Sequence, residues 1–234
     1  MLGETNASGE MSRGFYLERG CAAAIASMTW FALAVQLCFD IQEAVSKNHS
    51  IAVRVIDFLS FFTIETNLVI ALVLTILCTQ PGMNRFLSRP DVKSALVVYI
   101  VIVGVVYELL LRHLWHPQGL QLLADMLLHD IVPLLYCLFW LVFVPKGSLR
   151  WSDAATWLVY PIAFFVYSML RGVAFGIYPY PFIDAARLGF AQVSVNAMIL
   201  LALFFGLGIG VTAIDRALAS DDRGRSGLGT AAEL

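Results

Sequence analysis

A threonine and a histidine inside apolar segments are the two side chains with which this chain could do covalent chemistry. Thr63 lies in the stretch DFLSFFTIETN (57–67), and His129 lies in a second apolar run. Polar groups are costly in hydrocarbon, so membrane proteins keep them chiefly where they face a cavity, a partner or a reaction. A histidine that removes the hydroxyl proton of a threonine turns it into a nucleophile for an acyl carbon. The pair therefore predicts a site with Thr63 as nucleophile and His129 as base.

Each of the two residues also has a structural interpretation, which the sequence leaves open. A threonine inside a membrane helix commonly bonds back to the carbonyl four residues earlier, which for Thr63 is Leu59. His129 as a neutral imidazole can hydrogen-bond across two helices without taking part in a reaction. The interpretations differ in their consequence, since only the catalytic one makes hydrolysis depend on His129.

Helical spacing adds one neighbour to each member of this pair. Asn67 lies four residues after Thr63, and Asp125 lies four residues before His129, so each shares a helix face with its partner. Asn67 is therefore a candidate oxyanion donor. Asp125 is a candidate to orient the imidazole, as the third member of a catalytic triad orients its base, or else an interface charge in contact with water.

Three further polar residues are candidates for substrate binding or support. Arg171 ends the fifth apolar segment, where its guanidinium would hold the carboxylate of a fatty acyl ester or extend to lipid headgroups. Glu65 lies about 200° around the helix from Thr63, and we expect it to serve another contact. Asn196 follows Gln192 by four residues and forms a further polar face.

The composition places these residues in a membrane protein. Of 234 residues, 59% are hydrophobic and 14% are charged, whereas a soluble domain carries about 25% charged residues. The net charge of -2 and the lack of a basic stripe give no reason to expect a nucleic-acid partner. The four cysteines lie apart in apolar runs, and no metal-binding or cofactor-binding motif is present. We therefore expect neither a metal nor an organic cofactor.

Six apolar segments of roughly 20 residues predict an all-α membrane protein, because a helix of that length crosses a hydrocarbon core of about 30 Å. The predicted spans cover residues 20–39, 55–78, 92–111, 120–144, 154–171 and 187–213. They form one transmembrane domain (20–216) between an N-terminal tail (1–19) and a C-terminal tail (217–234). The Gly, Ser and Arg content of the C-terminal tail predicts disorder.

The distribution of Lys and Arg predicts that both termini are cytoplasmic, because positive charge favours the inside. With the N-terminus inside, the inner segments hold ten basic residues and the outer segments hold five. The inner residues are Arg13, Arg19, Arg85, Arg89, Lys93, Lys146, Arg150, Arg216, Arg223 and Arg225, and the outer residues are Lys47, Arg54, Arg112, Arg171 and Arg187.

On this topology most intramembrane polar groups fall in the outer half of the bilayer. Thr63 and His129 both lie about nine residues, or roughly 13 Å, below the outer ends of their predicted helices. The inner halves are nearly featureless apolar runs. The pattern predicts a polar cavity near the outer leaflet. A sealed inner half argues against a carrier, which needs access from both sides.

Four stretches resemble a bacterial family of six-span membrane proteins: FFTIETNLVIAL, HDIVP, YPIAFFVYSMLRG and YPYPF. That family is related to the animal androgen-induced and androgen-dependent membrane hydrolases (the FAR-17a type), which cleave fatty acid esters of hydroxy fatty acids. The resemblance covers about residues 20–215. It implies an embedded threonine nucleophile with a histidine partner. Thr63 matches by following Phe61 and Phe62, and His129 matches by preceding Pro133.

The expected function is therefore an intramembrane, threonine-dependent hydrolase of lipid esters in a bacterial cytoplasmic membrane. Its partner would be a lipid or fatty acyl ester substrate. The alternatives are a proton-linked transporter and a lipid-binding protein without enzyme activity. In the transporter, Glu65, Glu108, Asp125 and His129 would relay protons.

Overall fold

The computed structural model describes residues 2–79, 86–87 and 89–231, with side chains for 13–79, 86–87 and 89–219. All regular structure in these ranges is helical. The helices are α1 Leu2–Ser46, α2 Ile51–Leu59, α3 Phe62–Thr79, α4 Pro90–Val106, α5 Gly119–Met126, α6 Val132–Phe143, α7 Asp153–Thr156, α8 Val159–Phe175 and α9 Ala185–Ala231. Short turns of other helical types occupy Tyr107–Leu111, Arg112–Leu114, Leu127–Ile131 and Pro181–Ile183.

Six helical segments are long and apolar enough to cross a membrane, which confirms the predicted all-α, six-span class. They are Arg13–Ser46, Phe62–Thr79, Pro90–Leu114, Gly119–Phe143, Asp153–Phe175 and Ala185–Ala219. About half of the residues in the second and third segments are buried within the protein, against about a quarter in the fifth and sixth. Helices α3 and α4 therefore form the centre of the bundle. Which side of the membrane holds the termini stays a prediction.

The second predicted span is divided into two helices, whereas the sequence predicts one helix over residues 55–78. Helix α2 ends at Leu59, and the N–H of Ser60 donates to Asp57 O at 3.0 Å. The Ser60 hydroxyl lies 2.7 Å from the Tyr167 hydroxyl of α8 and also donates to Ile56 O at 2.6 Å. Ser60 is fully buried. This tertiary contact accompanies a break that places Thr63 in the first turn of α3.

Spans three and four approach closely where each contains a wide, π-type turn. A Cβ added to Gly104 of α4 would lie 3.0 Å from the carbonyl oxygen of His129. Pro133 has no N–H to donate to that carbonyl, so the ordinary helical bond cannot form there. The wide turn Leu127–Ile131 results, and a matching turn, Tyr107–Leu111, lies in span three. Wide turns of this kind occur frequently at functional sites.

Candidate functional site

Thr63 contacts Tyr180, which belongs to the connection between α8 and α9. The Thr63 N–H donates a hydrogen bond to the Tyr180 hydroxyl oxygen at 3.3 Å. The first N–H groups of a helix have no partner within it, so Tyr180 satisfies one of them. Burial raises the pKa of Tyr180 to about 12, and hydrogen bonding with Thr63 and the Phe62 backbone opposes that rise. The Tyr180 hydroxyl is therefore protonated at neutral pH and lies beside the Thr63 side chain.

The Thr63 hydroxyl does not follow the back-bonding pattern of other threonines in the bundle. Thr29, Thr75 and Thr212 each donate to the carbonyl four residues earlier, at 2.6–2.9 Å. For Thr63, in contrast, the described hydrogen-bonding partner is Tyr180, and Leu59 belongs to the preceding helix. The back-bonding expected of an isolated membrane threonine is thus not the arrangement found.

The connection 176–184 folds back into the bundle because two glycines permit it. Gly176 ends α8 with φ of 71°, a left-handed conformation that glycine adopts readily. A Cβ on Gly172 would lie 1.9 Å from the Tyr178 ring, so only glycine allows that ring to pack there. Asn196 of α9 donates to Phe182 O at 2.7 Å and holds the far end of the connection. The YPYPF stretch (178–182) therefore packs against α8 and α9.

Thr63 and Tyr180 line a cavity that is otherwise apolar, which we call the apolar cavity. With its open mouth it contains about 670 Å³ of empty space. Its walls come from α3, α4, α8, α9 and the turn Pro181–Ile183. Every other lining side chain is aliphatic, aromatic or proline. These walls suit an apolar ligand, and the two hydroxyl groups are the lining side chains to which its polar group could hydrogen-bond.

His129 forms a cluster with Asp125 and Tyr107 between spans three and four. The His129 and Tyr107 rings stack with centroids 3.7 Å apart. His129 Nδ1 lies 2.9 Å from Asp125 O and 3.2 Å from Asp125 Oδ1. Tyr107 donates to Asp125 Oδ2 at 2.6 Å, and Trp115 Nε1 donates to the Tyr107 hydroxyl at 3.3 Å. The structure thus brings together Asp125 and His129, as their spacing predicts.

The hydrogen bond at Nδ1 determines which nitrogen of His129 is available. A neutral imidazole that donates through Nδ1 carries its lone pair on Nε2. No described residue forms a hydrogen bond with His129 Nε2. The imidazole therefore has the protonation pattern of a supported general base.

Thr63 and His129 are linked through Asn67, and no hydrogen bond joins them directly among the described residues. The Asn67 amide donates to Thr63 O at 2.9 Å and to Leu128 O at 3.2 Å. Leu128 immediately precedes His129, so Asn67 holds the two segments at similar depth. These two bonds use both amide hydrogens of Asn67. The Asn67 Oδ1 atom is buried without a hydrogen-bond partner among the described residues.

Arg171 pairs with a carboxylate of the protein itself. Its guanidinium forms an ion pair with Asp57 of α2, and the Arg171 side chain is 8% exposed. Neither residue lines the apolar cavity. Together with the contact between Ser60 and Tyr167, this pair fastens α2 to α8. The structure therefore does not bring Arg171 to Thr63.

A second cavity, which we call the polar cavity, lies on the other side of α3. With its open mouth it contains about 1100 Å³ of empty space. Thr66 and Tyr160 line its deep part, and Arg89 and Asp91 line it at the opposite end of the bundle from Tyr180. Which half of the membrane this cavity occupies depends on the orientation of the chain, so the nearly featureless inner half stays a prediction. Glu65 accepts a hydrogen bond from Tyr160 at 2.8 Å, which is the separate contact expected of it.

Five aromatic rings, which we call the aromatic layer, separate the two cavities. Phe62 lies at the centre, with its ring centroid 5.0–6.1 Å from those of the other four. The members are Phe62, Tyr99, Tyr160, Phe164 and Phe204. Three of them line the apolar cavity and two line the polar cavity. Thr63 and Thr66, one helical turn apart, thus face different cavities.

Sequence reasoning missed two residues of the site, Tyr180 and Tyr107. Their contacts depend on a connection that folds back and on the pairing of spans three and four, and neither follows from spacing. Their position in the sequence offered a partial signal: Tyr180 lies between two prolines in YPYPF, and Tyr107 lies inside an apolar run. Within the described ranges, no group of three or more His, Cys, Asp or Glu residues is placed to hold a metal ion.

No family model matches the chain, and neither a curated protein nor a solved structure is significantly similar to it.

Proposed function

We propose that the protein hydrolyses long-chain acyl esters within the membrane, with Thr63 as nucleophile. The observation that carries this proposal is the position of the Thr63 and Tyr180 hydroxyls, the two polar side chains in an apolar cavity. An acyl chain in this cavity would place its ester carbonyl beside them, since no other lining group can hydrogen-bond to it. The resemblance of the FFTIETN and HDIVP stretches to membrane threonine hydrolases supports the same assignment.

The reaction would proceed in two steps. Thr63 Oγ bonds to the acyl carbon while His129 Nε2 takes the hydroxyl proton. The bond between the acyl carbon and the leaving oxygen then breaks, and the alkoxide receives that proton and departs as an alcohol. Water attacks the acyl-threonine, which releases the fatty acid and restores the Thr63 hydroxyl. The natural substrate would be a lipid ester such as a fatty acid ester of a hydroxy fatty acid.

Tyr180 is the group best placed to stabilise the oxyanion of each step. Its hydroxyl accepts from the Thr63 N–H, which leaves the phenolic hydrogen for the substrate oxygen. The positive end of the α3 dipole lies at the same point and favours developing negative charge. Asn67 would serve this role only after giving up a bond to one of two carbonyls. We therefore assign the oxyanion contact to Tyr180.

The proton transfer requires closure of the gap between Thr63 and His129. Catalytic hydrogen bonds are commonly long in an unliganded enzyme and tighten when substrate binds. The break before Phe62 is the element that would allow the first turn of α3 to shift toward His129. A bridging water would serve the same purpose without movement.

Hydrolysis of a fluorogenic long-chain acyl ester by the purified protein in detergent tests the proposal. Thr63→Ala should lower kcat/KM at least 100-fold, roughly what loss of a catalytic group costs, and Thr63→Ser should retain measurable activity because it keeps a hydroxyl. The matched control is Thr79→Ala, at the exposed end of the same helix. Wild-type activity in a folded Thr63→Ala protein would contradict the nucleophile assignment.

A lipid-binding protein without catalysis is the second candidate, favoured by the lack of a direct hydrogen bond between Thr63 and His129 among the described residues. The polar cavity also weakens the argument against a carrier, because charged residues at the opposite end of the bundle from Tyr180 line it. Both alternatives predict no ester hydrolysis that depends on Thr63, and the lipid-binding protein also predicts acyl-chain binding. The same set of variants therefore separates them from the hydrolase.

A further inference from the structure

We propose that the polar cavity is a solvent-filled vestibule, open at the end of the bundle that carries Arg89 and Asp91, and that the aromatic layer separates its water from the apolar cavity. Both parts rest on geometry, and both stand whether or not the proposed function holds.

The deep part of the polar cavity contains a polar atom that needs a partner. Thr66 is 1% exposed, and its hydroxyl oxygen is buried near the Tyr160 hydroxyl without forming a hydrogen bond of normal geometry to any described residue. Tyr160 donates to Glu65 at 2.8 Å and Tyr99 donates to Trp157 O at 2.8 Å, so neither hydroxyl has a hydrogen left to donate to Thr66. A buried hydroxyl left unpaired is destabilising, and a bound water would offset that cost.

The other end of the polar cavity is in contact with solvent. The side chains of Arg89 and Asp91 are 57% and 30% exposed, and they pair with each other at 2.7 Å. Asp153 and Thr156 add further polar groups to the lining. A roomy cavity with several polar groups and an exposed charged mouth holds water. Thr66 lies at its closed end.

The apolar cavity has the opposite character and should exclude water. Apart from Thr63 and Tyr180 its walls offer no hydrogen-bonding side chain, and cavities with apolar walls remain dry. The aromatic layer keeps the two environments apart, and Phe62 is its central ring. Thr63 and Thr66 are three residues apart on α3, so the layer divides an apolar environment from a solvated one within about one helical turn.

Cysteine accessibility tests the vestibule without reference to activity. Thr66→Cys and Thr63→Cys would be treated with a membrane-impermeant, anionic methanethiosulfonate reagent from either face of sealed vesicles. Adducts would be located by mass spectrometry, so that the native cysteines stay in place. Arg150→Cys marks the face of the polar-cavity mouth, because the connection that contains it lies at that end, and His49→Cys marks the other face; both native residues are exposed.

The expected result is labelling of Thr66→Cys from the face that labels Arg150→Cys, at least ten times faster than labelling of Thr63→Cys from that face. Val69→Cys, which lines the same cavity, gives the same test if Thr66→Cys does not fold. Protection of both Thr66→Cys and Val69→Cys in the folded protein would overturn the vestibule. Labelling only from the His49 face would also overturn it.

A separate experiment tests whether the aromatic layer is the barrier between the two cavities. Phe62→Ala removes the central ring, so labelling of Thr63→Cys from the Arg150 face should then rise at least ten-fold. Leu72→Ala on the same helix is the matched control, because Leu72 is exposed and lines neither cavity. Equal labelling of Thr63→Cys with and without Phe62 would show that these rings do not separate the cavities. Vestibule accessibility together with inactive wild-type protein would instead refute the hydrolase and leave the vestibule standing.

Discussion

The Tyr180 hydroxyl oxygen lies 3.3 Å from the backbone nitrogen of Thr63, although the two residues are separated by 117 positions in the chain. The connection that carries Tyr180 therefore does more than join α8 to α9. It accepts a hydrogen bond from a backbone N–H at the N-terminus of α3, which has no partner within the helix, and it places a phenolic hydroxyl beside the candidate nucleophile. The geometry makes Tyr180 as informative a position for mutation as Thr63.

Removal of the Tyr180 hydroxyl should reduce turnover and leave the fold intact. In Tyr180→Phe the ring still stacks on Phe182, whose centroid lies 5.1 Å away. We expect kcat to fall about 100-fold, which is typical for loss of one oxyanion donor, with KM nearly unchanged. Steady-state kinetics measure both. Tyr178→Phe in the same connection is the control and should behave as wild type. An equal effect in both variants would point to the connection and not to the Tyr180 hydroxyl.

Replacement of His129 should abolish hydrolysis if the imidazole acts as a base. His129→Gln should lower kcat by at least 100-fold, and Asp125→Asn by roughly 10-fold, since removal of a general base costs about 10²–10⁴-fold and loss of its orienting partner costs less. The exposed His116 provides the control His116→Gln. Full activity of a folded His129→Gln protein would leave His129 only a packing role against Tyr107.

Gly172 should tolerate no side chain. The Cβ of Gly172→Ala would overlap the Tyr178 ring, with 1.9 Å between the nearest atoms, so the connection must move. We expect a loss of about 1–3 kcal/mol in stability, typical of overpacking, together with reduced activity. Thermal unfolding in detergent measures the first effect. Gly206→Ala has open space around the added methyl group and should not destabilise. If both variants unfolded alike, the Tyr178 contact would not be the cause.

The ion pair of Arg171 and Asp57 should show strong coupling. Arg171→Met leaves a largely buried carboxylate without its partner and should cost about 3 kcal/mol. The double variant Arg171→Met, Asp57→Leu removes both charges and should recover most of that loss. A double-mutant cycle of thermal stabilities gives the coupling. Additive losses would contradict a paired role, and increased KM without loss of stability would support the substrate-carboxylate role expected from the sequence.

The six spans could be predicted because hydrocarbon thickness alone sets their length and composition. The proximity of Asp125 and His129 could be predicted because residues four apart share a helix face. The break before Phe62 could not, since serine is tolerated inside a helix and the contact of Ser60 with Tyr167 spans 107 residues. The same holds for Tyr180, which reaches Thr63 only because Gly172 and Gly176 allow the connection to fold back.

The sequence is a poor guide to substrate contacts for polar residues that have a hydrogen-bonding or ion-pair partner within the protein. Arg171 was expected to hold a substrate carboxylate, and Asp57 occupies its guanidinium. Asn67 was expected to donate to an oxyanion, and two carbonyls take its hydrogens. Position along one helix indicates depth and face, but the partner on the neighbouring helix decides whether a group is free for substrate. For Arg171 that partner is Asp57 of α2, and for Asn67 it is Leu128 O together with Thr63 O of its own helix.

The most direct test of the central claim is covalent labelling of Thr63 by a fluorophosphonate probe with a long alkyl chain, followed by mass spectrometry of the α3 peptide. We expect one adduct on Thr63 in the wild type, none in Thr63→Ala, and labelling at least 100-fold slower in His129→Gln. An adduct at a residue other than Thr63 would contradict the account. So would equal labelling of the wild type and His129→Gln.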